Sequence, residues 1–185
     1  MAQTPSNMLP LGTKAPDFNL LDTVSEKVLD YKTVKGENGT VVMFICNHCP
    51  FVIHVNQELV KLFDNYINQG FGFVAISSND VVKYPQDGPD KMKIHAAENN
   101  YQFPYLYDET QEVAKAYDAA CTPDFYVFNS YDELVYRGQL DDSRPGNGKP
   151  LTGADLRNAL DCLLVAKKNT EVQKPSIGCN IKWKS

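Results

Sequence analysis

The chain of 185 residues has no apolar run long enough to cross a bilayer. Residues Met1 to Pro10 have neither the positive n-region nor the apolar h-region of a secretory leader. A basic surplus is also missing. With 18 Lys+Arg against 23 Asp+Glu, the net charge is -5. That balance argues against a general binder of nucleic acid or anionic membrane, because nothing is left over to neutralise phosphates. The weak basic clusters, Lys167-Lys168 and Lys182 to Lys184, read as a solvated helix end and a solvated tail. Repeats and low-complexity tracts are absent, and the 11 prolines and 11 glycines are scattered rather than pooled in a linker. Five cysteines, an odd number, do not make a secreted disulfide framework. The expectation is a cytoplasmic protein with some of them as thiols. At 43% hydrophobic and 22% charged, residues 1–185 form one globular domain with a real core, and 170–185 form a tail packed on it.

What the chain does contain is ordered. Thr40 to Cys46 is a continuous apolar run rich in β-formers, the pattern of a strand buried on both faces. Val52, Val55, Leu59, Leu62, Phe63 and Tyr66 then recur at three- and four-residue steps, with Gly70 as the stop signal. Phe71 to Ser77 is a second buried strand, so the two strands are parallel. Asn79 to Asp90 is a polar loop, and Pro89 opens a helix to about Asn100. Tyr105 to Tyr107 is a short strand and Glu109 to Tyr117 a short helix. Asp124 to Phe128 and Glu133 to Tyr136 flank a turn-forming stretch and predict an antiparallel hairpin. Gln139 to Pro150 reads as a loop with a solvated acidic pair, Asp141-Asp142. Thr152 to Asp155 predicts a capping box for a last helix with Leu156, Leu160, Leu163 and Leu164 inward. The fold class is α/β: a central mixed sheet flanked by helices, with an N-terminal extension and a helical insertion.

Cys46-Asn47-His48-Cys49 sits at the junction of the first strand and the first long helix. A Cys-x-x-Cys spacing alone is half a zinc site, a redox pair or a coincidence. Its junction position favours the redox pair. If Cys46 is the N-cap, amides of the first turn and the positive helix end stabilise its thiolate, the reactive form. His48 adds positive charge when protonated, or is simply a first-turn residue. Pro50 falls in the first turn, where a missing N–H costs little.

Five segments resemble the thioredoxin-like superfamily, and within it the alkyl hydroperoxide reductase/thiol-specific antioxidant (AhpC/TSA, peroxiredoxin-like) branch. They are Gly12 to Phe18 (GTKAPDF), Phe44 to Val52 (FICNHCPFV), Phe103 to Asp108 (FPYLYD), Cys121 to Asp124 (CTPD) and Gly178 to Trp183 (GCNIKW). The resemblance implies a thioredoxin-like fold, a Cys-x-x-Cys-Pro active site, and a cis-proline loop at Thr122-Pro123 facing it. It also implies partners: a protein or small-molecule disulfide or a hydroperoxide, together with an upstream thiol reductant. Ile45 stands where thioredoxins have Trp. Val42 and Cys46 stand where peroxiredoxins have the Pro and Thr of Pro-x-x-x-Thr-x-x-Cys. The first expectation is therefore dithiol–disulfide exchange, with Cys46 attacking and Cys49 resolving.

Two alternatives stay open. One is a thiol peroxidase with Cys49 or Cys46 as the oxidised thiol. The other is a metal-binding or copper-chaperone-like module using Cys46, Cys49 and His48. The leading reading needs no cofactor or metal. Cys121, one residue before the proline loop, is either a third redox thiol or a small buried residue. Cys162 reads as structural, and Cys179 with Trp183 as part of a docked tail. Arg137 and Arg144 either steer anions or are ordinary surface groups.

Overall fold

The computed structural model describes residues 3–185. In chain order its elements are β1 (Gln3–Pro5), β2 (Asn19–Asp22), β3 (Val28–Asp30), α1 (Tyr31–Val34), β4 (Gly39–Phe44), α2 (Pro50–Tyr66), β5 (Phe71–Ser77), α3 (Pro89–Glu98), β6 (Tyr105–Tyr107), α4 (Glu112–Ala116), β7 (Cys121–Thr122), β8 (Asp124–Asn129), β9 (Leu134–Gly138), α5 (Ala154–Leu164) and β10 (Ile177–Asn180). Seven strands form one mixed sheet in the order β3-β2-β6-β5-β4-β8-β9. β4 lies inside it, parallel to β5 and antiparallel to β8.

Every residue of β4 and β5 is buried, which is why both read as unbroken apolar runs rather than alternating ones. Alternate side chains serve opposite cores. Val41 and Met43 pack with residues of α2, α3 and α5, including Leu59, Met92 and Leu160. Val42 and Phe44 pack on the other face with Tyr31 of α1, Ala114 of α4 and Tyr117. Truncating a core side chain such as Leu59 to Ala would cost ~2–5 kcal/mol. Helix α2 buries Val52, Val55, Leu59, Leu62 and Tyr66, and Gly70 ends the following 3-10 turn at φ +79.

Two expectations about α5 fail. Its N-cap is Gly153 in the left-handed region, with no side-chain cap. The carboxylate of Asp141 takes that role from a distance, accepting from the amides of Thr152 and Gly153 at 2.7 Å each. Asp141 is thus buried structure, whereas its neighbour Asp142 is exposed and pairs with Lys174 and Lys149. Leu164 is exposed, while Leu156 and Leu160 are buried.

A second, three-stranded sheet joins the chain's distant parts in the order β1-β10-β7. Cys179 of β10 stands opposite Gln3 on one side and Thr122 on the other. The approach is so close that a Cβ at Gly178 would lie 1.9 Å from the Thr122 carbonyl oxygen, so only glycine fits. None of these three short strands was marked by periodicity.

Candidate active site

The Cys46–Cys49 segment is a loop between β4 and α2, and the helix begins at Pro50. This corrects the expectation of Cys46 as the N-cap, which would start the helix at Asn47. Proline has no N–H to contribute, so it fits the first helical position, and it forces the residue before it into extended backbone. Cys49 accordingly has φ -70 and ψ 122 and is the N-cap. The helix terminus therefore serves Cys49, not Cys46.

Both sulfurs are buried, with Cys46 at 1% exposure and Cys49 at 0%. The Thr122–Pro123 bond is cis, as the resemblance implies, and its loop closes over the pair. The Thr122 hydroxyl is 3.4 Å from Cys46 Sγ, and the Thr122 carbonyl oxygen is 3.2 Å from Cys49 Sγ. A third sulfur completes the group: Cys179 Sγ lies 2.9 Å from Cys49 Sγ. The described residues contain no disulfide.

These neighbours divide the charge unequally. Cys49 is pulled down to about 5, first by a hydrogen bond from Cys46. The Cys179 thiol and the backbone N–H groups of Val52 and Cys179 add to this, while burial opposes it. The Thr122 carbonyl also opposes ionisation, but four donors and a helix terminus outweigh it. Cys46 is pushed well up, foremost because it holds the shared proton toward Cys49, then by burial and by the Asp87 carboxylate. Burial and the same hydrogen bonding push Cys179 up to about 12. The directions make Cys49, not Cys46, the more acidic thiol of the pair.

The loop itself is clamped by the segment before α3. Asp87, wholly buried, accepts from Asn47 N at 2.9 Å and from Asn79 Nδ2 at 2.8 Å. His48 Nδ1 lies 2.6 Å from the same carboxylate, off the line of a good hydrogen bond. The His48 ring stacks on Tyr84 at 5.8 Å. Tyr105 Oη donates to Asn47 Oδ1 at 3.0 Å. Asn79 Oδ1 accepts from Lys182 N at 2.8 Å, which ties the clamp to the residues after β10. Lys182 is thus buried rather than part of a solvated tail. Cys46, His48 and Asp87 offer ligand atoms within 4.8 Å of one another. The Asp87 oxygens also accept from Asn47 and Asn79, so this carboxylate holds the loop in place whatever else it meets.

The comparisons agree with this geometry. Residues 11–137 match the AhpC/TSA family. The chain belongs to the AhpC/TSA family. No curated protein matches it. A conserved protein of Geobacillus kaustophilus is 59% identical, with 100% of this chain and 97% of that one covered and a TM-score of 0.98. A protein of Sinorhizobium meliloti is 46% identical over 98% of this chain and 99% of that one, with a TM-score of 0.95. The thioredoxin domain of a thiol-disulfide oxidoreductase from Bacteroides vulgatus is 16% identical, with 80% and 97% covered and a TM-score of 0.62. That likeness shows the thioredoxin-like fold. Family and fold together are those of thiol-redox enzymes in general.

Within this AhpC/TSA chain the remaining sequence candidates separate clearly. Cys121 is buried with its sulfur 3.8 Å from the Pro123 carbonyl oxygen, and burial pushes its thiol far up. The thiol that reaches the pair is Cys179, not Cys121. Cys162 is half-buried on α5. Arg137 and Arg144 are spent on structure, donating to the carbonyls of Leu9, Asp141 and Ser143. Sequence reasoning missed Asp87, Asn79 and the position of Cys179. Asp87 was one acid in a polar loop, without periodic signal. The Gly178-Cys179 step was the only local hint of close backbone approach.

Proposed function

We propose that the protein is a thiol–disulfide oxidoreductase cycling a Cys46–Cys49 dithiol and disulfide, with Cys49 as the attacking thiolate and Cys46 as a resolving thiol. The roles are the reverse of those expected when Cys46 was taken as the N-cap. The observation that carries this reading is the donor-rich N-cap position of Cys49, which makes it the stronger acid of the pair. Cys49 attacks one sulfur of a substrate disulfide and displaces the other as a thiolate. Cys46 passes its proton to a departing thiolate and attacks Cys49, releasing the second substrate thiol. Two electrons have then moved from the dithiol to the substrate, and an upstream thiol reductant restores the pair. Such a cycle suits a reducing compartment such as the cytoplasm.

Hydroperoxide reduction is a second reading, and the burial of both sulfurs favours it, because a small oxidant reaches them more readily than a folded partner does. In that case Cys49 takes the terminal oxygen as sulfenic acid, the alcohol leaves, and Cys46 condenses with release of water. Side-by-side stopped-flow rates with hydrogen peroxide and with a peptide disulfide decide between them. Faster oxidation by the disulfide is the expected result. A peroxide rate at least ~100-fold higher would replace the first reading with the second.

A further inference from the structure

The mechanism above uses two thiols, yet the site holds three. Cys179 Sγ is 2.9 Å from Cys49 Sγ, about 0.9 Å from bonding distance, since a disulfide spans ~2.05 Å. The contact is not a chance meeting of flexible side chains. Cys179 is 3% exposed and fixed in the middle strand of the small sheet, between β1 and β7. The neighbouring Gly178 lets that strand press against Thr122, the same residue that touches both Cys46 and Cys49. Cys49 sits between two sulfurs, one supplied by its own loop and one by the far end of the chain.

We infer that Cys179 is a second resolving thiol, so that Cys49 closes a disulfide with Cys179 as well as with Cys46. The inference rests on the reading of Cys49 as the nucleophile. Once Cys49 carries a mixed disulfide with substrate, the Cys179 thiol gives its proton to the departing substrate thiolate and attacks Cys49. A Cys49–Cys179 bond forms, the Cys49–substrate bond breaks, and the substrate leaves reduced. Cys46 then attacks Cys49 in turn, giving the Cys46–Cys49 disulfide and regenerating the Cys179 thiol. This last exchange moves no net electrons. It hands the bond at Cys49 from Cys179 to Cys46, within one buried group of three sulfurs. The substrate class is therefore a disulfide whose leaving thiol is released inside the closed site, a small or extended one rather than one on a folded surface.

The test is gentle oxidation of the full chain with glutathione disulfide, quenched with acid, alkylated and mapped by mass. In Cys46→Ser the expected product is an intramolecular Cys49–Cys179 bridge. In the double variant Cys46→Ser/Cys179→Ser, glutathione should stay on Cys49, at a yield at least ~10-fold above that in Cys46→Ser. A Cys46→Ser protein that stops at the Cys49–glutathione adduct, with Cys179 still alkylated, overturns the inference and leaves Cys49 as the nucleophile. No adduct or bridge at Cys49 in any variant overturns the reading of Cys49 itself. Should the serine variants not fold, the wild-type chain supplies the answer. Its earliest time points should contain the Cys49–Cys179 peptide ahead of Cys46–Cys49, and its complete absence at all times counts against the proposal.

Discussion

Two buried acids flank the Thr122–Pro123 turn, and they are tuned in opposite directions. Cys49, on one side, is held down near 5 by surrounding donors. Asp124, on the other, is pushed up to about 8, first by complete burial. Asp124 does have partners: Phe125 N donates to it at 3.1 Å and Tyr126 Oη at 2.9 Å. These two and the Ser6 side chain, three neutral donors without a helix terminus, do not offset the loss of water. Burial raises both groups, so burial does not distinguish them. The number of donors and the helix end do, which makes one side of the turn a place for charge and the other a place without it.

The contrast predicts four outcomes, the largest first. Cys49→Ser should lower disulfide exchange by ~10³-fold or more, measured against a peptide disulfide. Residual exchange within ~10-fold of wild type would shift the nucleophile back to Cys46. Second in size is the pH dependence of stability. Asp124 keeps its proton in the fold, so its contribution is full below about 4 and is lost as pH rises toward about 8, on the order of 5 kcal/mol in all. Cys49 works the other way. Its contribution is present above the unfolded value of about 8.5 and is lost as pH falls toward about 5. Urea unfolding between pH 5 and 8 should therefore show stability rising with pH in Asp124→Asn and falling in Cys49→Ser. Equal slopes in the two variants would dissolve the comparison.

Third, Asp87→Asn removes a negative charge that holds the Cys46 thiol up while leaving an acceptor for Asn47 N. Alkylation of Cys46 at neutral pH should speed up about tenfold, one unit's worth of acidity. An unchanged rate would mean that the shared proton with Cys49 is the whole cause. The smallest effect belongs to Cys121→Ala. Its sulfur faces Pro123 rather than the pair, so exchange should change less than ~2-fold, at a stability cost of about 1 kcal/mol in urea unfolding. A large activity loss would bring Cys121 back as a redox thiol.

Much of the scaffold was legible because it is local or deeply buried. β4, α2 and β5 announce themselves through unbroken apolar runs, a 3.6-residue stripe and Gly70. The Cys-x-x-Cys at their junction follows from the same signals. Its polarity was misjudged although the signal was present: Pro50 fixes the helix start and makes Cys49 the N-cap. The rest of the site is assembled from a distance. Asp87 reaches the loop from the α3 side, and Cys179 arrives through pairing of two- to four-residue strands whose partners lie elsewhere in the chain. No window along the sequence contains that information.

The small sheet also sets the order in which the site can mature. Cys46 and Cys49 meet as soon as α2 forms beside β4 and β5, a local event with little loop to close. Cys179 reaches Cys49 only after β10 has docked between β1 and β7, a closure that spans nearly the whole chain and is accordingly late. A nascent or partly unfolded chain exposed to oxidant is therefore restricted to the bridge between neighbours in sequence. The bridge to β10 becomes available only in a finished molecule, so a Cys49–Cys179 disulfide, wherever it is trapped, marks a chain whose folding was complete when oxidation occurred.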